Sequence, residues 1–156
     1  MEYIEQEFIN FYQRIAKNIG LDNITSILFA KLYLEPDEIS MEELASQTGF
    51  SLASISNKIK LLDAMGLITK STKPGSKKIY LFMEKNFKKL MIQHFRKKQE
   101  LIFKPAKEKI PEIIKNAKVK NKIEKQKLNI LKNYLTQIIE LEENMKLMIE
   151  NLTDDN

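Results

Sequence analysis

Residues 51–78 hold side chains suited to a polyanion with readable edges. The amide of Asn57 donates and accepts at once, the bidentate pattern that matches the major-groove edge of adenine. Lys60 and the hydroxyls of Ser51, Ser54 and Ser56 offer weaker contacts of the same sort, Lys58 belongs to the same run, and Ala53 keeps it unobstructed. Lys73, Lys77 and Lys78 are point charges suited to phosphate oxygens, and Gly75 and Ser76 lie among them in a Pro-Gly turn. After Asp63 no acid occurs up to Met83.

Catalytic chemistry is nearly absent by contrast. The single histidine, His94, sits among lysines and an arginine with no cysteine to join it, which suits a surface or interface role better than a metal ligand or general base. Glu42-Glu43, Glu142-Glu143 and Asp154-Asp155 are sequence neighbours, so they diverge on a helix or lie in a tail and make poor carboxylate dyads. The four glycines are isolated, which leaves no loop to cradle a phosphate. Neither a cofactor, a metal nor an enzymatic activity is expected.

The elements that must position these residues are mostly helical. Ile4, Phe8, Phe11, Ile15 and Ile19 recur at helical spacing and stop at Gly20. Asp22 or Asn23 can cap a second helix that runs to Glu35 before Pro36. Ser40-Met41-Glu42-Glu43 is a capping box, Gly49 closes the short helix after it, and Ser51 can cap the next. Ile55, Ile59 and Leu62 fall on one side of that next helix, which Gly66 ends; Ala53, Asn57, Lys60 and Ala64 fall roughly opposite. Two helices joined by a tight glycine turn are the unit that can set its second helix in a DNA major groove. The period then shortens: "LITKST" and "KKIYLFM" read as strands around the turn "KPGS", a hairpin placed to act as a wing.

Composition fits such a reading. The net charge of +5 is unevenly spread: residues 1–50 carry three basic and nine acidic side chains, 51–80 six and one, 84–127 fifteen and five, and 128–156 two and six. A basic middle between acidic ends names no partner by itself. With no cysteine there is no disulfide framework or thiolate site. "MEYIEQEF" is acidic rather than a signal peptide, and no apolar run approaches the roughly 18 residues of a membrane span, so a cytoplasmic protein with no membrane partner is expected.

The segment "SMEELASQTGFSLASISNKIKLLDAMGLI" followed by a Pro-Gly wing and "KIYLFM" resembles the winged helix-turn-helix of MarR-type transcriptional regulators. The preceding "IAKNIGLDNITSILFAKLYLEPDEISMEELA" is similar to the GbsR-like branch of that family; the resemblance covers about residues 14–87. It implies a mainly α fold with a small β-hairpin, in which a winged helix-turn-helix (residues 21–83) lies between an N-terminal helix (1–20) and a C-terminal helical dimerisation region (84–156). It also implies a dimeric, DNA-binding regulator, expected to repress, on a pseudo-palindrome with half-sites about one helical turn, roughly 34–36 Å, apart. The branch includes a regulator that senses choline, and the aromatic residues Phe8, Phe11, Tyr12, Phe29 and Tyr33 raise the prospect of a small-molecule effector held by cation–π attraction, against the commoner use of such rings as core.

Neither arginine, Arg14 or Arg96, falls between Ser40 and Met83, so the winged helix lacks the usual guanine reader and an A·T-leaning operator is expected. Toward the C-terminus, a helix through Phe87, Leu90, Met91 and Phe95 is expected to be interrupted around Pro105 and Pro111. Leu131, Tyr134, Ile138, Leu141, Met145, Met148 and Leu152 then alternate by three and four as a seam that must pack, either within the chain or, as a dimer interface, across a two-fold axis against the N-terminal helix (1–20) of a second copy. Two rival readings remain open: a winged helix used as a protein-interaction module, with residues 84–127 docking an acidic partner, and a nonspecific architectural DNA binder.

Overall fold

The computed structural model describes residues 2–154. In chain order the elements are α1 (Tyr3–Ile19), α2 (Asn23–Leu34), β1 (Ile39–Ser40), α3 (Met41–Thr48), α4 (Leu52–Ala64), β2 (Thr69–Thr72), β3 (Ile79–Phe82), α5 (Phe87–Lys98), a π-helical turn (Gln99–Phe103), α6 (Lys104–Asn116) and α7 (Lys122–Asp154). No helix among the described residues is long and apolar enough to cross a membrane.

Local chemistry sets the boundaries. Gly20 and Gly49 end α1 and α3 in the left-handed conformation, with φ of 74° and 75°, where a side chain would be strained. Asp22, Ser40 and Ser51 cap α2, α3 and α4 through side-chain oxygens that accept the N–H three residues on. The capping box at Ser40 is only half used: the Glu43 N–H donates to Ser40 Oγ at 3.1 Å, while the Glu43 carboxylate accepts from the Gln47 amide. Ser40 is instead part of a strand. Ile39 and Ser40 pair antiparallel with Leu81 and Tyr80, so the expected hairpin is a three-stranded sheet of order β1-β3-β2.

The chain divides into two compact units between Gln93 and His94. In the first, one core gathers Leu28 and Leu32 of α2, Leu44 of α3, Ile55, Ile59 and Leu62 of α4, Leu81 and Met83 of the sheet segment and Leu90 of α5. Each such side chain taken from water contributes about 1.5–3 kcal/mol, which is why the apolar side of α4 faces inward and its polar side outward. α1 packs on α2, and the Glu5 carboxylate holds Lys31, a charge buried on α2. Lys85 Nζ donates to the carbonyls of Leu32 and Met83 at 2.8 and 2.6 Å, joining the end of α2 to the end of β3.

The second unit is a helical hairpin. The prolines do not end the helix as expected: the chain stays helical from Phe87 to Asn116, with Pro105 just after a π-helical turn and Pro111 accommodated inside α6. The irregularity falls just before them, where Gln99–Phe103 widens into a π-helical turn. α7 packs on α6 and on this turn, burying Phe103, Ile110, Ile138 and Ile149.

Candidate nucleic-acid interface

Because Ile55, Ile59 and Leu62 are committed to the core, α4 presents Ala53, Asn57, Lys60 and Ala64 to solvent as an exposed stripe, with Ser54 and Ser56 half-buried at its margins. Ser51 begins the helix, its Oγ accepting the Ser54 N–H at 3.1 Å and donating to the Ser54 hydroxyl at 3.0 Å. Lys58 stands apart from this set. Its ammonium lies 3.3 Å from the Asp22 carboxylate, which also accepts from the Thr25 N–H and hydroxyl at 2.9 and 2.6 Å. Burial alone would raise the Asp22 pKa; the Thr25 bonds and Lys58 outweigh it and hold the group below its ordinary value. Lys58 therefore ties the second helix of the pair to the cap of α2 rather than standing ready for a phosphate.

The wing is built around a Lys73–Ser76 turn with Pro74 second and Gly75, at φ 75°, third; the Ser76 N–H donates to the Lys73 carbonyl at 3.1 Å. Ser76 Oγ accepts the Lys78 N–H, which steadies the return strand. Lys73 is engaged, 4.0 Å from the centroid of the Tyr80 ring and 3.8 Å from the Glu38 carboxylate. Lys70 is likewise paired, 3.1 Å from Asp63. Lys60, Lys77 and Lys78 are exposed and make no ion pair among the described residues. They are the cations left for an outside anion.

Between α4 and the wing runs a groove of about 430 Å³ lined by Met41, Glu42, Leu52, Ala53, Ser56, Lys77 and Ile79. It brings Ala53, Ser56 and Lys77, singled out by sequence, next to Leu52, Ile79 and Glu42, which sequence reasoning missed. Asn57, Lys60, Lys73, Gly75, Ser76 and Lys78 lie outside its lining. Leu52 follows a capping serine and reads as an ordinary helix residue until its exposure is seen. Glu42, an acid on α3, has no sequence signal placing it beside α4.

The proposed dimerisation seam divides in two. Ile138 is buried and Leu131, Met145 and Leu152 half-buried, whereas Tyr134, Leu141 and Met148 are 46%, 55% and 39% exposed. The enclosed side of α7 runs instead through Leu128, Leu131, Leu135, Ile138, Glu142, Met145, Ile149 and Leu152. Glu142 occupies one of these inward positions: its Oε1 accepts from Lys107 and Lys146, each at 3.3 Å, while Oε2 faces Lys107 Nζ at 3.1 Å as an ion pair without a directed hydrogen bond. The exposed side continues as Ile123, Ile130, Tyr134, Leu141 and Met148, an apolar stripe along the helix.

The aromatic residues of α1 and α2 form a packed cluster. Phe8 meets Tyr12 edge-on at 4.9 Å, Tyr12 meets Phe29 at 4.7 Å, Phe29 stacks on Tyr33 at 6.2 Å, and Phe11 and Phe87 extend it. Phe8, Tyr12, Phe29 and Tyr33 are half-buried, and Phe11 and Phe87 are exposed. His94 lies 5.8 Å from the Phe95 ring, and among the described residues no three His, Asp or Glu side chains gather in a way that could hold a metal ion.

No protein-family model matches the chain, and no curated protein does. A solved crystal structure described as that of a transcriptional regulator superposes on 96% of this chain and 98% of its own length, with a TM-score of 0.71 at 18% sequence identity. The shared fold is mainly α with a small three-stranded antiparallel sheet, the arrangement of a winged helix. At this identity the likeness is one of fold, and it extends through the C-terminal helices as well as the winged helix.

Proposed function

We propose that the chain is a cytoplasmic, sequence-selective DNA-binding transcriptional regulator of the MarR type, GbsR-like branch. The observation that carries this reading is the exposed α4 stripe with Asn57 at its centre, together with unpaired Lys60, Lys77 and Lys78 on the helix and wing. In this reading the helix enters the major groove, Asn57 pairs with adenine, and Lys77 and Lys78 hold the sugar–phosphate backbone. The absence of arginine from residues 40–83 favours an A·T-leaning site. The apolar stripe of α7 supports a homodimer, since a helix with that face in water gains by covering it, and a dimer reads two half-sites. A dimer seated on its site excludes other proteins from it, which is how it would repress. If a cationic effector acts, the Phe8–Tyr12–Phe29–Tyr33 cluster is its place.

Selection of duplexes from a random pool, followed by footprinting and salt titration, tests the reading. Asn57→Ala should lose on the order of 1–3 kcal/mol on the selected site and little on random duplex. Replacing Lys77 and Lys78 together by alanine should weaken both duplexes alike and flatten the log–log salt dependence by up to about two per subunit. Absence of duplex affinity would move the chain to the protein-interaction reading, and equal affinity for every duplex to the architectural one.

A further inference from the structure

The groove between α4 and the wing has an apolar lining that hydrogen-bond readout leaves unused. Leu52, the first residue of α4, is 45% exposed, and Ile79, the first residue of β3, is 38% exposed. Neither is required by the core beside them, which Ile55, Ile59 and Leu81 already close. Both line one groove with Ala53, and Lys77 supplies its cation. A lone exposed leucine is unremarkable; two large apolar side chains and an alanine facing one groove, at the helix end that approaches base edges in a helix-turn-helix, are a shaped surface. Glu42, on α3, repels phosphate at close range whereas Lys77, on the wing, attracts it, so Leu52, Ala53 and Ile79 are what the groove offers an uncharged group.

On the major-groove edge of a duplex, the apolar group is the C5-methyl of thymine. Resting on the DNA-binding reading above, we propose that Leu52, with Ala53 beside it, is a thymine-methyl reader, so that part of the site's specificity lies in methyl burial. Ile79 closes the far wall and Lys77 draws the backbone in beside it. An A·T-leaning site is then selected twice, by the Asn57 amide at adenine and by Leu52 at the methyl of thymine.

The test uses the full chain and the duplex recovered by selection, resynthesised with deoxyuridine for every thymidine. This removes only the methyl groups and leaves base pairing and the minor-groove edges unchanged. Wild type should bind the uracil duplex about fourfold more weakly for each methyl in contact, the equivalent of about 0.8 kcal/mol. Leu52→Ala should bind the thymine duplex more weakly and bring the thymine-to-uracil ratio toward one, Leu52→Met should restore part of the ratio, and Asn57→Ala should keep it. Equal affinity of wild type for the two duplexes overturns the proposal whether or not any variant folds, and so does a full ratio retained by folded Leu52→Ala. Selective binding with a ratio of one sinks the methyl reader alone. No affinity for any duplex sinks the DNA-binding reading with it.

Discussion

Up to Gln93 the chain encloses Leu28, Leu44, Ile55, Ile59, Leu81 and Met83 completely, around a sheet and four helices that meet on several sides. From His94 onward the most enclosed side chain is Phe103, at 4%, and the hairpin leaves Leu101, Ile113, Ile130, Leu141 and Leu147 about half in water. Two antiparallel helices have one shared face, and what does not fit on that face stays outside. The winged helix is thus supplied with its own core, whereas the hairpin has more apolar surface than it can cover. Its inner seam also gives one position to Glu142, whose ionic contacts with Lys107 and Lys146 add little to stability.

The largest effect that would sharpen this contrast is in the core. Leu44→Ala should lower the unfolding free energy by about 2–5 kcal/mol in a denaturant titration, whereas Ile113→Ala, on the open side of α6, should stay within about 0.5 kcal/mol. Comparable losses would break the comparison. Next comes the exposed stripe of α7. Leu141→Lys should leave the helical signal intact yet weaken self-association by more than about tenfold in sedimentation, because an unpaired ammonium would have to be buried. A wild type that is monomeric at high concentration would show that the stripe does not join two copies. Ile138→Lys is a different experiment, since that residue is buried against the rest of the hairpin and its loss should melt the hairpin itself.

The smallest effect separates the ionic contact from the apolar seam. Burial pushes the Glu142 carboxyl up, but hydrogen bonds and charge from Lys107 and Lys146 outweigh it and hold the pKa below the ordinary 4.5. A group depressed in the folded state stabilises fully above its unfolded pKa and stops doing so as pH falls through the folded one. Glu142→Gln should therefore lower stability by less than about 1 kcal/mol at pH 7, both lysines being solvent-exposed and screened. The gap between variant and wild type should close on acidification below pH 4.5; a gap unchanged at pH 3 would show that the ion pair is not its source.

What could be read from sequence was the short-range part. Gly20, Asp22, Gly49 and Ser51 act within a turn of where they stand, and the Ile55–Ile59–Leu62 face needs only the helical period. Strand β1 escaped because two residues make no pattern and their partner, β3, lies some forty positions on. The pairing of Lys58 with Asp22 and the approach of Glu42 to α4 are likewise products of the assembled fold. On α7 a charged residue at an inward position disguised the true seam: the apolar spacing kept Leu131, Ile138, Met145 and Leu152 on it but took Tyr134, Leu141 and Met148 for the inward neighbours Leu135, Glu142 and Ile149, each one residue on. The prolines misled in the opposite sense: neither ends the helix, and the irregularity is a π-helical turn just before Pro105.

Ser40 belongs to two elements at once. Its backbone is paired in the sheet opposite Tyr80 and its hydroxyl caps α3, so the strand that returns from the wing is stitched to the first helix of the helix-turn-helix through one residue. The α3 wall of the groove, Met41 and Glu42, and its β3 wall, Ile79, are consequently held by one sheet pairing. A partner that fits between them finds both sides already in place, and little freedom remains to be surrendered when it arrives.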